Sequence, residues 1–227
     1  IRKARVMIQN FLITALYGVY GDLVMFSLIE YRTLVFGWNL SLLSFLISIV
    51  LFVAMFFSFF YQIKILVNYQ KIKRQEEENE NSKLLENFMK THEGSQVFFK
   101  EFKDYSLAPQ FFPIFLSGRD LLFSLILATM FEYPLAQTVL ITIMSFLMIA
   151  YLLIKRPFSS SFEAAQQLFF EVIGLVVNFC VFMNAILDTG KYIAIQFRTN
   201  IGKLIIVSNM IFNFVTASFM LFFVAQA

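Results

Sequence analysis

Four ionisable side chains lie inside stretches of sequence that are otherwise almost free of charge: Asp22, Arg119, Asp120 and Glu171. An acid or base placed in an apolar run is expensive unless it is partnered or wetted, so such groups either brace helices as ion pairs or carry a proton or cation along a path. Asp22 comes 11 residues into its run, Arg119 and Asp120 come 9 and 10 into theirs, and Glu171 comes 7 into its own. On helices these offsets correspond to depths of roughly 10 to 17 Å at about 1.5 Å per residue. If the three runs start from one side, the four groups share a level and can meet. Arg119 and Asp120 are consecutive and point about 100° apart, which sends them to different partners. Arg119 is expected to pair with Glu171 or Asp22 in a bundle interior. Three roles stay open to the cluster: an ion-pair brace, an ion or proton path, or snorkelling to the inner surface.

Uncharged polar residues recur at helical spacing. Gln167, Glu171, Gly174 and Asn178 fall at i, i+4, i+7 and i+11, and Asn209, Asn213 and Thr216 form a second stripe. Two such stripes predict two facing helices, with Gln167, Asn178, Asn209, Asn213 and Thr216 as a pore-lining or packing face. Small and amide residues are also the common glue between membrane helices, as Ser41, Ser44 and Ser48 illustrate. No GxxxxGK[ST], HExxH, GxSxG or CxxC pattern occurs, and no catalytic, cofactor-binding or metal-ligating residue is expected. His92 has no second histidine or cysteine near it, and Cys180 has no partner for a disulfide.

The elements that must position these groups are six apolar runs, near residues 11–29, 40–66, 110–131, 135–154, 164–187 and 201–225. Each approaches or exceeds the roughly 20 residues that span a hydrocarbon core. Hydrophobic residues make up 59% of the 227, Phe alone supplies 31, and charged residues fall to 15%, against about 25% in soluble domains. The expected fold is all-α: one polytopic membrane domain, 1–227, with six transmembrane helices. Residues 68–109 form its charged linker, helical at first because 64–90 combine good helix formers with a switch from basic to acidic. Glu86 and Lys90 stand at i, i+4, and Phe98, Phe99 and Phe102 among basic residues suggest a segment lying along headgroups. Lys155 and Arg156 anchor the end of the fourth helix, Pro157 stops it, and Ser161 with Glu163 can cap the fifth.

Orientation follows from the basic residues. With an inside amino terminus, thirteen lie on inside segments, Arg119 lies within a run, and Arg32, Lys191, Arg198 and Lys203 lie outside. This bias puts both termini on the cytoplasmic side. It does not distinguish the plasma membrane from an organelle membrane. The net charge of +3 is spread along membrane borders, so the expected partners are lipids and other membrane subunits, with no nucleic acid. The chain begins at Ile1 without Met or a signal pattern, and this reads as a processed product or part of something longer.

The stretch Phe112-Pro113-Ile114-Phe115-Leu116-Ser117-Gly118-Arg119-Asp120-Leu121-Leu122-Phe123, then Tyr133-Pro134-Leu135, then Lys155-Arg156-Pro157-Phe158-Ser159 leading to Glu171, resembles the carboxy-terminal membrane region of the TRP-like (transient receptor potential-like) proteins of fungi and protists. These are similar to polycystins and fungal flavin carriers. The resemblance covers about residues 100–190, and Arg119-Asp120 departs from the two basic residues common there. It implies a four-helix bundle followed by two pore-type helices, with cation conduction as the possible activity. Between the fifth and sixth runs only about a dozen residues remain, too few for the re-entrant helix and carbonyl-lined filter of a selective pore. Two readings follow: a channel subunit forming a homo-oligomer, or a non-conducting anchor or assembly subunit in a hetero-complex.

Overall fold

The computed structural model describes residues 2–33, 40–79, 83–99, 102–103, 107–189 and 195–226. Helices α1 (Arg2–Gly18), α2 (Tyr20–Thr33), α3 (Leu40–Asn79), α4 (Lys83–Thr91), α5 (Leu107–Gln110), α6 (Phe112–Thr129), α7 (Pro134–Lys155), α8 (Ser161–Thr189) and α9 (Ile195–Gln226) account for most of them. A 3-10 turn covers Glu93–Phe98, and among the described residues extended pairing is limited to one bridge between Phe102 and Phe158. The all-α expectation holds.

Five helical segments are long and apolar enough to cross a membrane, judged by length and composition: Ser41–Glu76, Phe112–Thr129, Pro134–Lys155, Ser161–Asp188 and Ile195–Phe219. The run expected as the first crossing behaves differently. It is divided at Val19 into helices of 17 and 14 residues, each short of a span. Gly18 and Gly21 flank the break, and two glycines within one turn weaken a helix. The hydrogen-bond ladder nevertheless continues across it, with Val19 N–H donating to Ala15 O at 3.2 Å and Leu23 N–H to Val19 O at 3.0 Å. The α3 helix runs through the charged stretch to Asn79, far past the apolar limit at 66.

The chain groups into two compact units, 1–129 with 157–160 and 130–156 with 161–227. In the first, α2 packs against both α3 and α6. Tyr20 lies by Met55 and Tyr31 by Phe45, so α2 and α3 run antiparallel. Gly21 lies by Ser124 and Arg32 reaches Ala128, so α2 and α6 run the same way. Beyond the apolar part of α3, a core of Ile65, Leu66, Tyr69, Phe88, Phe98 and Phe99 joins α3, α4 and the 3-10 turn. Tyr69 stacks on Phe99 with ring centroids 4.9 Å apart. Phe102 is also buried, against Phe112 and Phe158. Phe98, Phe99 and Phe102, expected to lie along headgroups, are thus buried within the unit, the first two against the hydrophobic face of α4 and the third against Phe112 and Phe158; Lys100 and Glu101 lie outside the described residues. On the exposed side of α4, Lys90 donates to Glu86 as the spacing predicted. That contact holds the Glu86 carboxyl below its ordinary value, so its small contribution is present at neutral pH and fades as pH falls through that lowered value.

In the second unit α7 packs on α8 and α8 on α9. Pro134 opens α7, where its missing N–H leaves no bond unmade. Arg156 closes α7 in the left-handed conformation, φ 43°, with its N–H on Leu152 O, and Pro157 follows. At the start of α8, Glu163 Oε2 is buried and accepts no hydrogen bond among the described residues, so the expected cap is not made through that oxygen. The α8 and α9 helices run antiparallel, fixed by Phe162 on Phe219, Phe170 on Phe212 and, at the far end, Asp188 with Arg198 at 2.7 Å.

Phe99 is 5% exposed and Phe57 69%. In detergent-solubilised protein, Phe99→Ala is expected to cost about 3–5 kcal/mol of stability and to lower the unfolding midpoint clearly. Phe57→Ala, whose ring meets solvent or lipid, should leave that midpoint nearly unchanged.

Candidate functional site

The polar groups of the first unit converge where α2, α3 and α6 approach closely. Gly21 supplies the approach: a Cβ built there would lie 3.5 Å from Asp120 Cβ and 3.9 Å from its Cγ, already in ordinary contact. Ser124, 1% exposed, places Oγ 3.0 Å from Gly21 O and 2.9 Å from Asp120 O, so its one proton joins α6 to α2 or to its own preceding turn. The Tyr20 hydroxyl donates to Met55 O at 3.2 Å, joining α2 to α3. Gln62, 1% exposed, donates through Nε2 to Ser117 Oγ at 3.4 Å, joining α3 to α6, while its Oε1 is buried without a partner among the described residues. Each helix of this trio is thus tied to the other two through uncharged groups.

Of the four ionisable residues expected to meet, the structure joins Arg119 with Asp120. Arg119 Nε and Nη2 both donate to Asp120 Oδ1, at 3.1 and 2.8 Å. The expectation that neighbours on a helix seek different partners is therefore corrected. Their Cβ atoms diverge, but the arginine stem is long enough for the guanidinium to fold back onto the adjacent carboxylate. Both side chains are partly exposed, 26% and 30%. Asp22 is exposed and makes no ion pair or hydrogen bond among the described residues. It points away from the seam that its neighbours Tyr20 and Gly21 build.

Glu171 belongs to the second unit, where it is buried and accepts from Gln167 Nε2 at 2.9 Å. Asn178 donates through Nδ2 to Ser145 Oγ at 2.8 Å, tying α8 to α7. Thr216 donates to Phe212 O one turn back on its own helix. Asn209 and Asn213 differ from all of these. Both side chains lie on the exposed face of α9 beside Met210, 66% exposed, and Phe214, 75% exposed, with no hydrogen-bond partner among the described residues. At the end of α8, Arg198 bridges Asp188 and Leu187 O, so Asp188 serves as the anchor for the first turn of α9. A groove of about 520 Å³ lined by Ile143, Phe146, Leu175, Phe179, Cys180 and Leu204 is apolar throughout and offers a hydrocarbon chain more than it offers an ion.

Among the described residues no group of three or more His, Cys, Asp or Glu side chains is arranged to hold a metal ion. His92 stacks on Phe88 at 4.2 Å, with Nδ1 3.2 Å from Phe88 O. The sequence reading passed over Tyr20, Gln62, Ser117 and Ser124. Gln62 carried a usable signal, an amide near the end of a long apolar run; Ser117 and Ser124, seven apart on one face, carried another.

No family model matches the chain, and neither a curated protein nor a solved structure shows significant similarity to it.

Because a Cβ at Gly21 would touch Asp120 at ordinary distance, Gly21→Ala should fold and melt close to the parent. Gly21→Leu should push α2 from α6 and cost about 1–3 kcal/mol, read as a lowered unfolding midpoint in the same detergent.

Proposed function

We propose that the protein is a six-pass integral membrane domain with both termini cytoplasmic, working as an anchor or assembly subunit whose α9 face is completed by further membrane helices. The observation behind this reading is the pair Asn209 and Asn213, exposed and unpartnered on α9 among large apolar side chains. An amide facing hydrocarbon costs about 2 kcal/mol or more, and the pair doubles that. Covering the face with another helix that carries polar groups removes the cost. The rest of the polar inventory favours packing over conduction, since Asn178, Gln167, Glu171 and Thr216 bond within the second unit. Six passes are supported by the continuous ladder through Val19 and by the alternating directions of α2, α3 and α6, as three successive crossings require.

A second reading keeps a specific observation on its side. In a closed ring of identical subunits, the same two amides would line water rather than a dry contact, in keeping with the TRP-like resemblance and its cation conduction. The two readings part in one experiment. Liposomes containing the purified protein should show no cation flux above background, and Asn209→Leu with Asn213→Leu should shift the protein to a smaller assembly in size-exclusion chromatography. Flux that those substitutions reduce at least tenfold would replace the anchor with the channel.

Topology is tested separately. In a Cys180→Ser background, single cysteines at positions 71 and 155 are expected to react with a membrane-impermeant maleimide from the cytoplasmic side, and one at position 132 from the opposite side. Labelling of all three from one side would refute the alternating crossings.

A further inference from the structure

In the first unit, a groove of about 490 Å³ opens along α3 beside α5 and the residue that follows it. One wall is a single face of α3: Val67, Gln70, Lys71 and Arg74 stand at i, i+3, i+4 and i+7. Leu107 and Phe111, one turn apart and linked by Phe111 N–H on Leu107 O at 3.1 Å, form the other. The groove has two chemical ends. Val67, 47% exposed, and Leu107, 40% exposed, leave bare hydrocarbon. Lys71 and Arg74 are exposed, make no ion pair among the described residues, and are the charged members of a lining that contains no acid. The distance along α3 from Val67 to Arg74 is about 10 Å.

Its position in the chain explains the pairing of ends. Val67 follows directly on the apolar run of α3, which ends near 66, and Phe111 precedes directly the apolar span that starts at Phe112. The groove therefore sits at the level where two spans meet the headgroup layer, with Val67 and Phe111 next to the spans and Lys71 and Arg74 one to two turns farther out along α3. An arginine fork and a lysine point charge together suit a phosphate oxygen cluster, and buried Gln70 adds an amide beside them. A free phosphate would leave Val67, Leu107 and Phe111 uncovered. An acidic peptide would have to lie at the depth of the acyl boundary.

We propose that this groove is a binding site for an anionic glycerophospholipid, its phosphate on Lys71 and Arg74 and an acyl chain against Val67, Leu107 and Phe111. The membrane reading enters in setting the groove's depth. Binding is measured in detergent, so a failed topology and a failed site remain distinguishable.

The test is native mass spectrometry of the full chain in non-ionic detergent, with dioleoyl phosphatidylserine and dioleoyl phosphatidylcholine as probes. Retention of phosphatidylserine should exceed that of phosphatidylcholine by about tenfold or more, as two headgroup-facing cations give. Lys71→Gln with Arg74→Gln should bring the two lipids within about twofold of each other, with an unchanged melting midpoint because both side chains are exposed. Lys71→Arg with Arg74→Lys should keep the preference. Lys155→Gln with Lys203→Gln, which removes the same charge elsewhere, should keep it too. A preference that survives loss of Lys71 and Arg74, or that falls equally in the Lys155 and Lys203 variant, would overturn the site. Displacement of the lipid by an equal concentration of glycerophosphoserine, the same headgroup without chains, would overturn the lipid in favour of a phosphate-binding pocket.

Discussion

In hydrocarbon a backbone must satisfy its own donors and acceptors, and a helix does so completely. Once the apolar runs are helical, the remaining problem is the polar side chains they carry, and this protein resolves it in three ways. Hydroxyls such as Thr129, Thr142, Thr216 and Ser218 donate to the carbonyl one turn back, which conceals them without joining anything. Tyr20, Ser124, Gln62 and Asn178 bond to a neighbouring helix and so decide which helices touch. Asn209 and Asn213 do neither. The sorting of polar groups among these three outcomes separates structural residues from those that look outward.

The two units apply this in different proportions. The first is tied by hydroxyl and amide bonds among α2, α3 and α6, then reinforced by a core of stacked rings around Tyr69, Phe88 and Phe99 where α3 leaves its apolar stretch. That core supports α3 as it leaves its apolar stretch and holds α4 and the 3-10 turn beside it. The second unit depends more on Phe162, Phe170, Phe212 and Phe219 along α8 and α9, with Asn178–Ser145 as its polar link to α7. The abundance of Phe in the composition is put to use at these junctions. Rings bury large area at low rotamer cost and tolerate several mutual angles.

The helices were legible in the sequence because an apolar run of about 20 residues has few other uses; α6, α7 and α8 begin and end within three residues of the runs that announced them, and α9 starts six residues earlier than its run. The division at Val19 was not, since hydropathy does not register two glycines three residues apart. The site was harder to read for a related reason. Charge attracts notice, so Asp22 and Arg119 were singled out, yet a serine that fits against a glycine does the joining. Helical projection treated Arg119 and Asp120 as fixed vectors, whereas an arginine has enough rotatable bonds to return to its neighbour. Spacing groups residues on one face of α8 and of α9, but whether a face is turned inward, as at Asn178, or outward, as at Asn209, is a property of packing that no periodicity carries.

The Arg119–Asp120 pair shows why local compensation matters for function. Two opposite charges one residue apart largely cancel at a distance of one helix diameter, so the pair acts on distant groups as a dipole rather than as two free charges. The pair leaves behind a dipole, partly exposed, beside an uncharged seam that holds the helices without it. A path for ions or protons calls for groups that exchange partners, and those groups must be wetted to do so. Asn209 and Asn213 are exposed on α9, and their amides, which both donate and accept, can bond to water or to another polar group. Compensation of the Arg119–Asp120 kind acts within a single helix turn, whereas Asn209 and Asn213 stand exposed on α9 with no such neighbour among the described residues.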